Sequence, residues 1–191
     1  MLSVIIPTEN DERTLVRTLS SLVPGAMTGL VSDVLIVDHG SRDGTAKVAD
    51  AAGCDFIPAT GSRGEALAYA AQRARSAWLM FITSGVTLES PWIDEATRFV
   101  QDAMLDDDGI ARSAFFRPGT SPYQRRTLSL VARRWWRIWR GPTPEQGLII
   151  HQSHYRDIGG HRAHARNPEA DLIARLRKPQ TFMLKADALA L

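Results

Sequence analysis

Short, continuously apolar runs alternate with segments of helical periodicity through the first half of the 191-residue chain. The apolar runs are rich in β-branched side chains and predict buried strands at residues 2–6, 34–37, 54–57 and 78–82. The segments between them predict helices that begin near Asp11 and that cover residues 45–52, 63–75 and 91–104. Strict alternation of strand and helix indicates an α/β fold, a three-layer α/β/α sandwich around a mostly parallel sheet.

The second half of the chain has a less regular pattern. It predicts strands at residues 112–116 and 148–150 and helices at residues 122–140 and 168–177. No internal repeat or low-complexity linker separates the halves, and 44% of the side chains are hydrophobic, enough for a sizeable core. We therefore expect a single domain over residues 1–191, in which residues 111–191 fold onto residues 1–110.

Charge divides the chain more sharply than its total of +2 indicates. Residues 1–110 contain 16 acidic and 8 basic side chains, whereas residues 111–191 contain 5 acidic and 15 basic side chains. A basic half attracts anions. Nucleotide phosphate, nucleic acid and anionic lipid are all open as partners on this ground.

The start of the chain and its cysteine content bear on the compartment. MLSVIIPTEND has no basic segment before its apolar run, and no apolar stretch approaches the roughly 18 residues that spanning a bilayer needs. The lone Cys54 cannot form an intrachain disulfide or a multi-cysteine zinc site. We expect a cytoplasmic protein without a signal peptide or a transmembrane helix.

Ligands of parallel α/β sheets bind beyond the carboxyl ends of the strands, which directs attention to the loops there. These loops and their flanks resemble the nucleotide-binding half of family 2 glycosyltransferases, which have the GT-A fold. The resemblance rests on SVIIPTEND, LIVDHGSRDGTAKVA, GSRG before a helix and AWLMFI, and it continues in PEQGL and DIGG. It extends over about residues 2–185. It implies a transferase of cell-envelope polysaccharide or glycolipid biosynthesis that takes its sugar from a nucleotide sugar.

The resemblance implies a nucleotide site at the first strand ends. Pro7, Thr8, Glu9 and Asp38 would hold the base and ribose, since a buried carboxylate can accept a hydrogen bond from a base N–H. Arg63, at a helix start, would reach the phosphates. The alternatives are a turn-forming role for Asp38 and a solvated side chain for Arg63.

The chain departs from the family at its metal site. In the family, the strand corresponding to residues 78–82 ends in an acidic pair that binds a divalent cation, whereas residues 83–87 here read TSGVT. Mg²⁺ and Mn²⁺ prefer carboxylate ligands, and the next carboxylate is Glu89. The cation expected for the family therefore lacks its ligands, and we predict no metal site.

Basic side chains are candidates for the missing positive charge. Arg162, His164 and Arg166 precede the last predicted helix, and Arg63 lies on the nucleotide side. Arginine binds phosphate through charge-assisted hydrogen bonds, so these residues are predicted to face the departing diphosphate.

The resemblance places the general base at Glu169, by alignment of the family's glycine pair with Gly159-Gly160. The family has an aspartate there, so this base would be one methylene longer. The alternative is that Pro168 and the acids after it serve only to start a helix. The acceptor-side loop of the family corresponds to Glu145, Gln146 and Gly147.

Four of the five histidines lie in one stretch, namely His151, His154, His161 and His164. Imidazoles are good zinc ligands, but an apparent turn separates the two pairs and no cysteine lies nearby. We expect these side chains to be solvated or to face phosphate.

The segment TLSLVARRWWRIWR predicts a helix with Trp135, Trp136 and Trp139 on an apolar face and arginines opposite. Either the tryptophans pack on the sheet, or the helix lies peripherally at the inner face of a membrane and serves a lipid acceptor. No nucleic-acid-binding module is recognisable, so nucleic acid is not an expected partner.

Two functions fit these observations. The first is a glycosyltransferase that moves a sugar from a nucleotide-sugar donor to an unknown acceptor with inversion. The second is a catalytically inactive protein of GT-A fold that binds a nucleotide or a partner, an alternative that the missing acidic pair favours.

Overall fold

The computed structural model describes residues 1–105, 113–119, 141–176 and 181–190. Its strands are β1 (Leu2–Thr8), β2 (Val31–Asp38), β3 (Asp55–Pro58), β4 (Trp78–Phe81), β5 (Val86–Leu88), β6 (Ser113–Pro118), β7 (Leu148–His151) and β8 (Thr181–Ala190). Its α-helices are α1 (Glu12–Met27), α2 (Thr45–Ala51), α3 (Arg63–Arg73), α4 (Trp92–Leu105), α5 (Gln152–Asp157) and α6 (Pro168–Arg175). A 3₁₀ turn at Pro144–Gln146 precedes β7.

One eight-stranded sheet has the order β3-β2-β1-β4-β7-β6-β8-β5. The pairs among β3, β2, β1 and β4 are parallel, as the alternating pattern of the first half predicts. Beyond β4 the sheet is mixed, because β7 runs antiparallel to both of its neighbours and β5 runs antiparallel to β8. The α/β class is confirmed, and the parallel half presents several strand ends at one edge.

Two apolar clusters form the core, one on each face of the sheet. Successive residues of a strand point to opposite faces, so Val4 belongs to one cluster and Ile5 to the other. Leu15 of α1 packs in the first cluster, and Leu67 of α3 and Leu172 of α6 pack in the second. These helices cover the two faces and produce the predicted layers.

A buried polar network joins the strands at their amino ends. Asp33 accepts a 2.5 Å hydrogen bond from Ser3 Oγ and a 3.2 Å bond from the backbone N–H of Arg75. Ser3 Oγ in turn accepts from the backbone N–H of Ser76. The network lies at the end of the sheet opposite to the loops after β1 and β2.

The start of α3 is tightly specified. Ser62 and Glu65 form a capping box, in which each side chain accepts a hydrogen bond from the other residue's backbone N–H. A Cβ added at Gly64 would lie 2.1 Å from the carbonyl oxygen of Arg162. Glycine at position 64 therefore lets the chain before α6 contact the first turn of α3.

Several elements differ from the predicted ones. Strands β5 and β8, helix α5 and the 3₁₀ turn were not predicted, and α6 ends at Arg175. β5 has three residues, and β8 is only partly buried, so neither has the continuous apolar run that marks the central strands.

The predicted helix at 122–140, with Trp135, Trp136 and Trp139, lies outside the described residues. Among the described residues, no helix is both long enough and apolar enough to cross a membrane.

Candidate functional site

A small cleft, with an internal volume of about 20 Å³, lies beyond the carboxyl ends of β1 and β4. Helix α6 and the 3₁₀ turn form its other sides. The described residues that line it are Pro7, Leu67, Phe81, Ile82, Thr83, Pro144, Leu148, His161, Glu169, Leu172 and Ile173. Its position agrees with the rule that α/β sheets bind ligands at strand ends.

Asp38 lies at the end of β2 and is 6% exposed. One carboxylate oxygen accepts from the backbone N–H groups of Gly40 and Ser41, at 3.1 and 2.9 Å. The other accepts from the hydroxyls of Ser41 and Thr8, at 2.5 and 3.1 Å. The turn-forming role is thus present, and it fixes the carboxylate beside the loop after β1.

His39, the residue after Asp38, was not predicted as a site residue. Its backbone N–H donates to the carbonyl of Thr8 at 2.8 Å, and its buried Nε2 has no hydrogen-bond partner among the described residues. Burial and then the nearby charge of Arg63 lower the pKa of His39. Its place in the loop after β2 was the only signal of this that the sequence offered.

Arg63 and Glu169 form an ion pair at the edge of the cleft. Arg63 Nε and Nη2 both lie 2.7 Å from Glu169 Oε1. The side chains are 37% and 17% exposed, respectively. The structure therefore joins the residue predicted to bind phosphate to the residue predicted to be the base.

Helix geometry brings this pair together. Arg63 is the first residue of α3, and Glu169 is the second residue of α6, whose amino end is capped by Asn167 through a 2.9 Å bond from the N–H of Ala170. The amino ends of helices carry partial positive charge, which favours an anion between them. The carboxylate of Glu169 lies there and is paired with Arg63.

The other predicted phosphate-binding residues are exposed. Arg162 Nη1 lies 3.8 Å from Asp171 Oδ1, outside the set of residues that line the cleft. His164 is close enough to Glu65 to add to the lowering of the Glu65 pKa, which hydrogen bonds from Ser62 mainly cause. Arg166 is also exposed. The cleft wall itself contains none of the three.

Arg175 has a structural role that the sequence did not indicate. It donates to Asp171 Oδ2 at 2.7 Å and to the carbonyls of Ile158 and Gly160. These bonds hold the turn at Gly159-Gly160 against α6 and thereby orient the segment that leads to Glu169.

In the predicted acceptor loop, Gln146 serves the fold. Its Nε2 donates to the carbonyl of Phe116 at 2.9 Å, and its Oε1 accepts from the N–H of Thr143 at 3.0 Å. Gly147 is buried beside it, whereas Glu145 is exposed. Gln146 therefore anchors a loop whose Pro144 reaches the cleft.

The loop in the place of the family's acidic pair is bound to α1. Thr14 and Ser84 share a 3.2 Å hydroxyl contact, and the N–H of Gly85 donates to Thr18 Oγ1 at 2.9 Å. Gly85 has φ +91°, a left-handed conformation that suits glycine. In the described part of the chain, no group of three or more His, Cys, Asp or Glu side chains is placed to hold a metal ion.

The histidine prediction was wrong for two of its four members. His154 and His161 are buried, at 4% and 6% exposure, and burial lowers the pKa of each. His151 accepts from the N–H of Ser153 and caps α5, and His164 is exposed. The rings of Phe81 and Tyr155 enclose His161. Phe81 is distant from His161 in the sequence, and Tyr155 lies on the other side of a turn.

Residues 3–168 match the family model for Glycosyl transferase family 2, and the chain belongs to this family. No curated protein matches the chain. The solved structures compared below are each less than 25% identical to this chain, so their structural likeness shows the GT-A fold alone.

A crystal structure of S. aureus TarS residues 1–349 has a TM-score of 0.74 and 18% identity, covering 99% of this chain and 60% of that chain. The same TarS fragment with UDP-GlcNAc has a TM-score of 0.73 and 16% identity, covering 99% of this chain and 58% of that one. Glucosyl-3-phosphoglycerate synthase from Mycobacterium tuberculosis with Mn²⁺, UDP and glucosyl-3-phosphoglycerate has a TM-score of 0.62 and 22% identity, covering 100% and 72%. The chain thus spans about three fifths of the TarS fragment.

Proposed function

We propose that the protein transfers a sugar from a nucleoside-diphosphate sugar to an acceptor hydroxyl with inversion, and that arginine balances the charge of the diphosphate. The observation that carries the proposal is the Arg63–Glu169 pair beside a cleft at the strand ends. It supplies a cation and a carboxylate, the two groups that such a displacement needs. The solved relatives that hold UDP or UDP-GlcNAc support the donor class.

Residues 1–110 would bind the nucleotide. Pro7, Thr8, Glu9 and Asp38 surround the loop between β1 and α1, where the base and ribose would lie. Arg63 and the N–H groups at the start of α3 would face the diphosphate. Within this half the described residues do not fit the family's divalent cation, because residues 83–87 have no carboxylate, so no step is assigned to a metal ion.

Residues 111–191 would bind the acceptor. The loop at Glu145, Gln146 and Gly147 forms one side of that site, and Arg162, His164 and Arg166 add positive potential around it. A lipid acceptor, a position at the inner face of the membrane and a role in envelope polysaccharide or glycolipid synthesis rest on the sequence of the Trp135, Trp136 and Trp139 segment alone.

In the proposed reaction, Arg63 exchanges its ion-pair partner. Arg63 leaves Glu169 for the incoming diphosphate, and the freed carboxylate faces the acceptor hydroxyl. As Glu169 takes the hydroxyl proton, the oxygen forms a bond to the anomeric carbon on the face opposite to the diphosphate. The bond from that carbon to the diphosphate oxygen breaks, and its electron pair leaves with the nucleoside diphosphate, whose charge Arg63 faces.

The first test is nucleotide binding with and without metal. We expect UDP to raise the Tm of the full chain equally in Mn²⁺ and in EDTA, with about 2.7 kcal/mol of stabilisation at 100 times the Kd. Arg63→Gln should remove most of this shift, whereas Arg73→Gln, at the exposed end of the same helix, should retain it. The absence of a shift with any nucleoside diphosphate would contradict the proposal.

The inactive alternative keeps one observation in its favour, the missing acidic pair at residues 83–87. It predicts UDP binding without release of sugar from a UDP-sugar. A single-turnover assay of hydrolysis with radiolabelled UDP-glucose or UDP-GlcNAc separates the two functions, because a transferase slowly passes the sugar to water whereas the inactive protein leaves the donor intact.

A further inference from the structure

A groove with an internal volume of about 460 Å³ lies between β3 and α3, apart from the cleft at the strand ends. Its walls are β3, the two residues after it, and the face of α3 from Glu65 to Arg73. Small-molecule sites occupy roughly 300–1,000 Å³, so this groove has room for a ligand. The function proposed above gives the groove no role.

One wall of the groove is the free edge of β3. This strand is the last one of the sheet, and among the described residues it pairs only with β2. The N–H of Ala59 donates to the carbonyl of Asp38 on β2. Because the backbone groups of successive strand residues point to alternate sides, those of Phe56 and Pro58 point away from β2 and into the groove. Proline has no N–H, so this edge offers one N–H donor and two carbonyl acceptors.

This edge is poorly suited to an added peptide strand. A peptide that extends a sheet needs a regular series of donors and acceptors along the edge, and Pro58 interrupts the series after a single N–H. The groove therefore favours a ligand whose polar groups are not those of an extended backbone.

The opposite wall carries a flat surface with apolar and polar parts. Tyr69 is 50% exposed, and Arg73, one helical turn later, places its guanidinium carbon 5.8 Å from the centroid of the tyrosine ring. A tyrosine ring is a large apolar body with a polar tip, and its stacking with a guanidinium extends that body. The C–H face of a sugar ring can pack on such a surface while the hydroxyls at the ring edge remain available for hydrogen bonds.

The charges of the lining disfavour anions. Asp55 and Glu65 line the groove with Arg73, so the described lining has no excess of positive charge. Arg75, outside the lining, lies 3.3 Å from Asp55. Glu65 accepts from the N–H of Ser62 at 2.8 Å, and a carboxylate has further acceptor positions. A phosphate would face these carboxylates and the edge carbonyls, whereas a ligand rich in hydroxyl donors would match them.

We propose that the groove between β3 and α3 binds an uncharged oligosaccharide. A sugar ring packs against Tyr69 and Arg73, and hydroxyls donate to the carboxylates of Asp55 and Glu65. Each hydroxyl is both a donor and an acceptor, so the same ligand serves the carbonyls of the edge and the single N–H of Phe56. This binding site goes beyond the proposed transferase function and does not depend on it.

The test titrates the ¹⁵N-labelled full chain with cellotetraose, maltotetraose and chitotetraose and follows the backbone amides by NMR. We expect at least one of these sugars to shift the amide of Phe56, which points into the groove, more than that of Ile57, which points to β2. The shifts should be the same with and without UDP. Inorganic phosphate should leave both amides in place.

Variants measure the contribution of each wall. Tyr69→Ala and Asp55→Ala should each weaken tetrasaccharide binding roughly tenfold, through loss of the stacking surface and of an ionised acceptor, respectively. Tyr69→Phe keeps the ring and should retain most of the affinity. Gln72→Ala is the control, because this exposed position on α3 does not line the groove. Thermal unfolding checks that each variant is folded.

Three results would overturn the inference. They are the absence of groove shifts with every tetrasaccharide at millimolar concentration, binding that Tyr69→Ala leaves unchanged, and a stronger response to phosphate than to the uncharged sugars. Failure of UDP to bind would instead contradict the proposed function and leave this inference intact, since the groove and the cleft share none of their described lining residues.

Discussion

At the scale of single residues, the charged groups of the candidate site are each paired with a partner by hydrogen bonds or opposite charge. Asp38 is held by the turn after β2, and Arg63 and Glu169 neutralise each other. Such pairing offsets the cost of holding charged groups at a partly buried position. A substitution at either partner of the ion pair therefore changes the behaviour of the other.

Glu169→Gln separates binding from chemistry. We expect sugar transfer to fall by roughly 10²–10⁴-fold, because a general base contributes a factor of this size. The UDP Kd should decrease, since Arg63 no longer exchanges a carboxylate for the diphosphate. Donor consumption and UDP titration provide the two readings, with the exposed Glu89→Gln as the control. Unchanged turnover would remove Glu169 from the mechanism.

His161 should give the protein a measurable acid sensitivity. Its pKa is about 3 in the folded protein and about 6.5 when exposed, so the unfolded chain binds more protons between these values. Its contribution to stability is fully present above about pH 6.5 and is lost as the pH falls toward 3. Chemical denaturation of His161→Phe at several pH values should show a flatter dependence in this window, by about one proton. His164→Gln, at an exposed position, should match the parent protein.

At the scale of secondary-structure elements, the site depends on how closely α3 and the chain before α6 approach. This approach places Arg63 beside Glu169, although 106 positions separate them in the sequence. The contact at Gly64 sets the distance between the two segments.

Gly64→Ala tests this close contact, because the contact determines whether the substitution raises or lowers the free energy of unfolding. Alanine normally stabilises a helix relative to glycine by roughly 0.5–1 kcal/mol. Here the added Cβ would clash with the Arg162 carbonyl, so we expect a loss of roughly 1–3 kcal/mol and weaker UDP binding. Gly44→Ala is a milder control, because its Cβ would meet only the flexible carboxylate end of Glu12. A more stable Gly64→Ala protein would show that the contact does not exist in solution.

At the scale of the whole molecule, a buried polar network and the candidate site lie at opposite ends of the sheet. The Asp33 network joins β1, β2 and the segment before β4 at their amino ends, and the cleft lies at the carboxyl ends. Changes at one end are expected to leave the other end intact when the fold survives.

Asp33→Asn measures this separation. Replacing one carboxylate oxygen by an amide leaves either Ser3 Oγ or the Arg75 N–H without its acceptor, so we expect a loss of roughly 1–3 kcal/mol in unfolding free energy. The UDP Kd of the folded protein should equal that of the parent. Asp50→Asn, on the exposed side of α2, should alter neither quantity.

The sequence predicts the first half of the fold well because β1, β2 and β4 are buried on both faces and therefore read as continuous apolar runs. It also indicates Arg63 and Glu169 separately, Arg63 through its place at a helix start and Glu169 through the resemblance to the family. Their contact could not be read from it, since it depends on the packing of α6 against α3. The burial of His161 could not be predicted for the same reason. Residue type alone places a histidine at the surface, whereas here the contact with Tyr155 stabilises the buried imidazole.

The backbone at Gly85 affects whether acidic substitutions could create a metal site in this loop. An aspartate introduced there would have to adopt φ near +91°, a conformation that side chains disfavour, while the adjoining Ser84 is tied to Thr14 of α1. Acidic side chains at positions 83 and 85 alone are therefore not expected to bind a cation, because the loop would also have to detach from α1. A cation site at this place requires several coordinated changes, so no single substitution is expected to supply one.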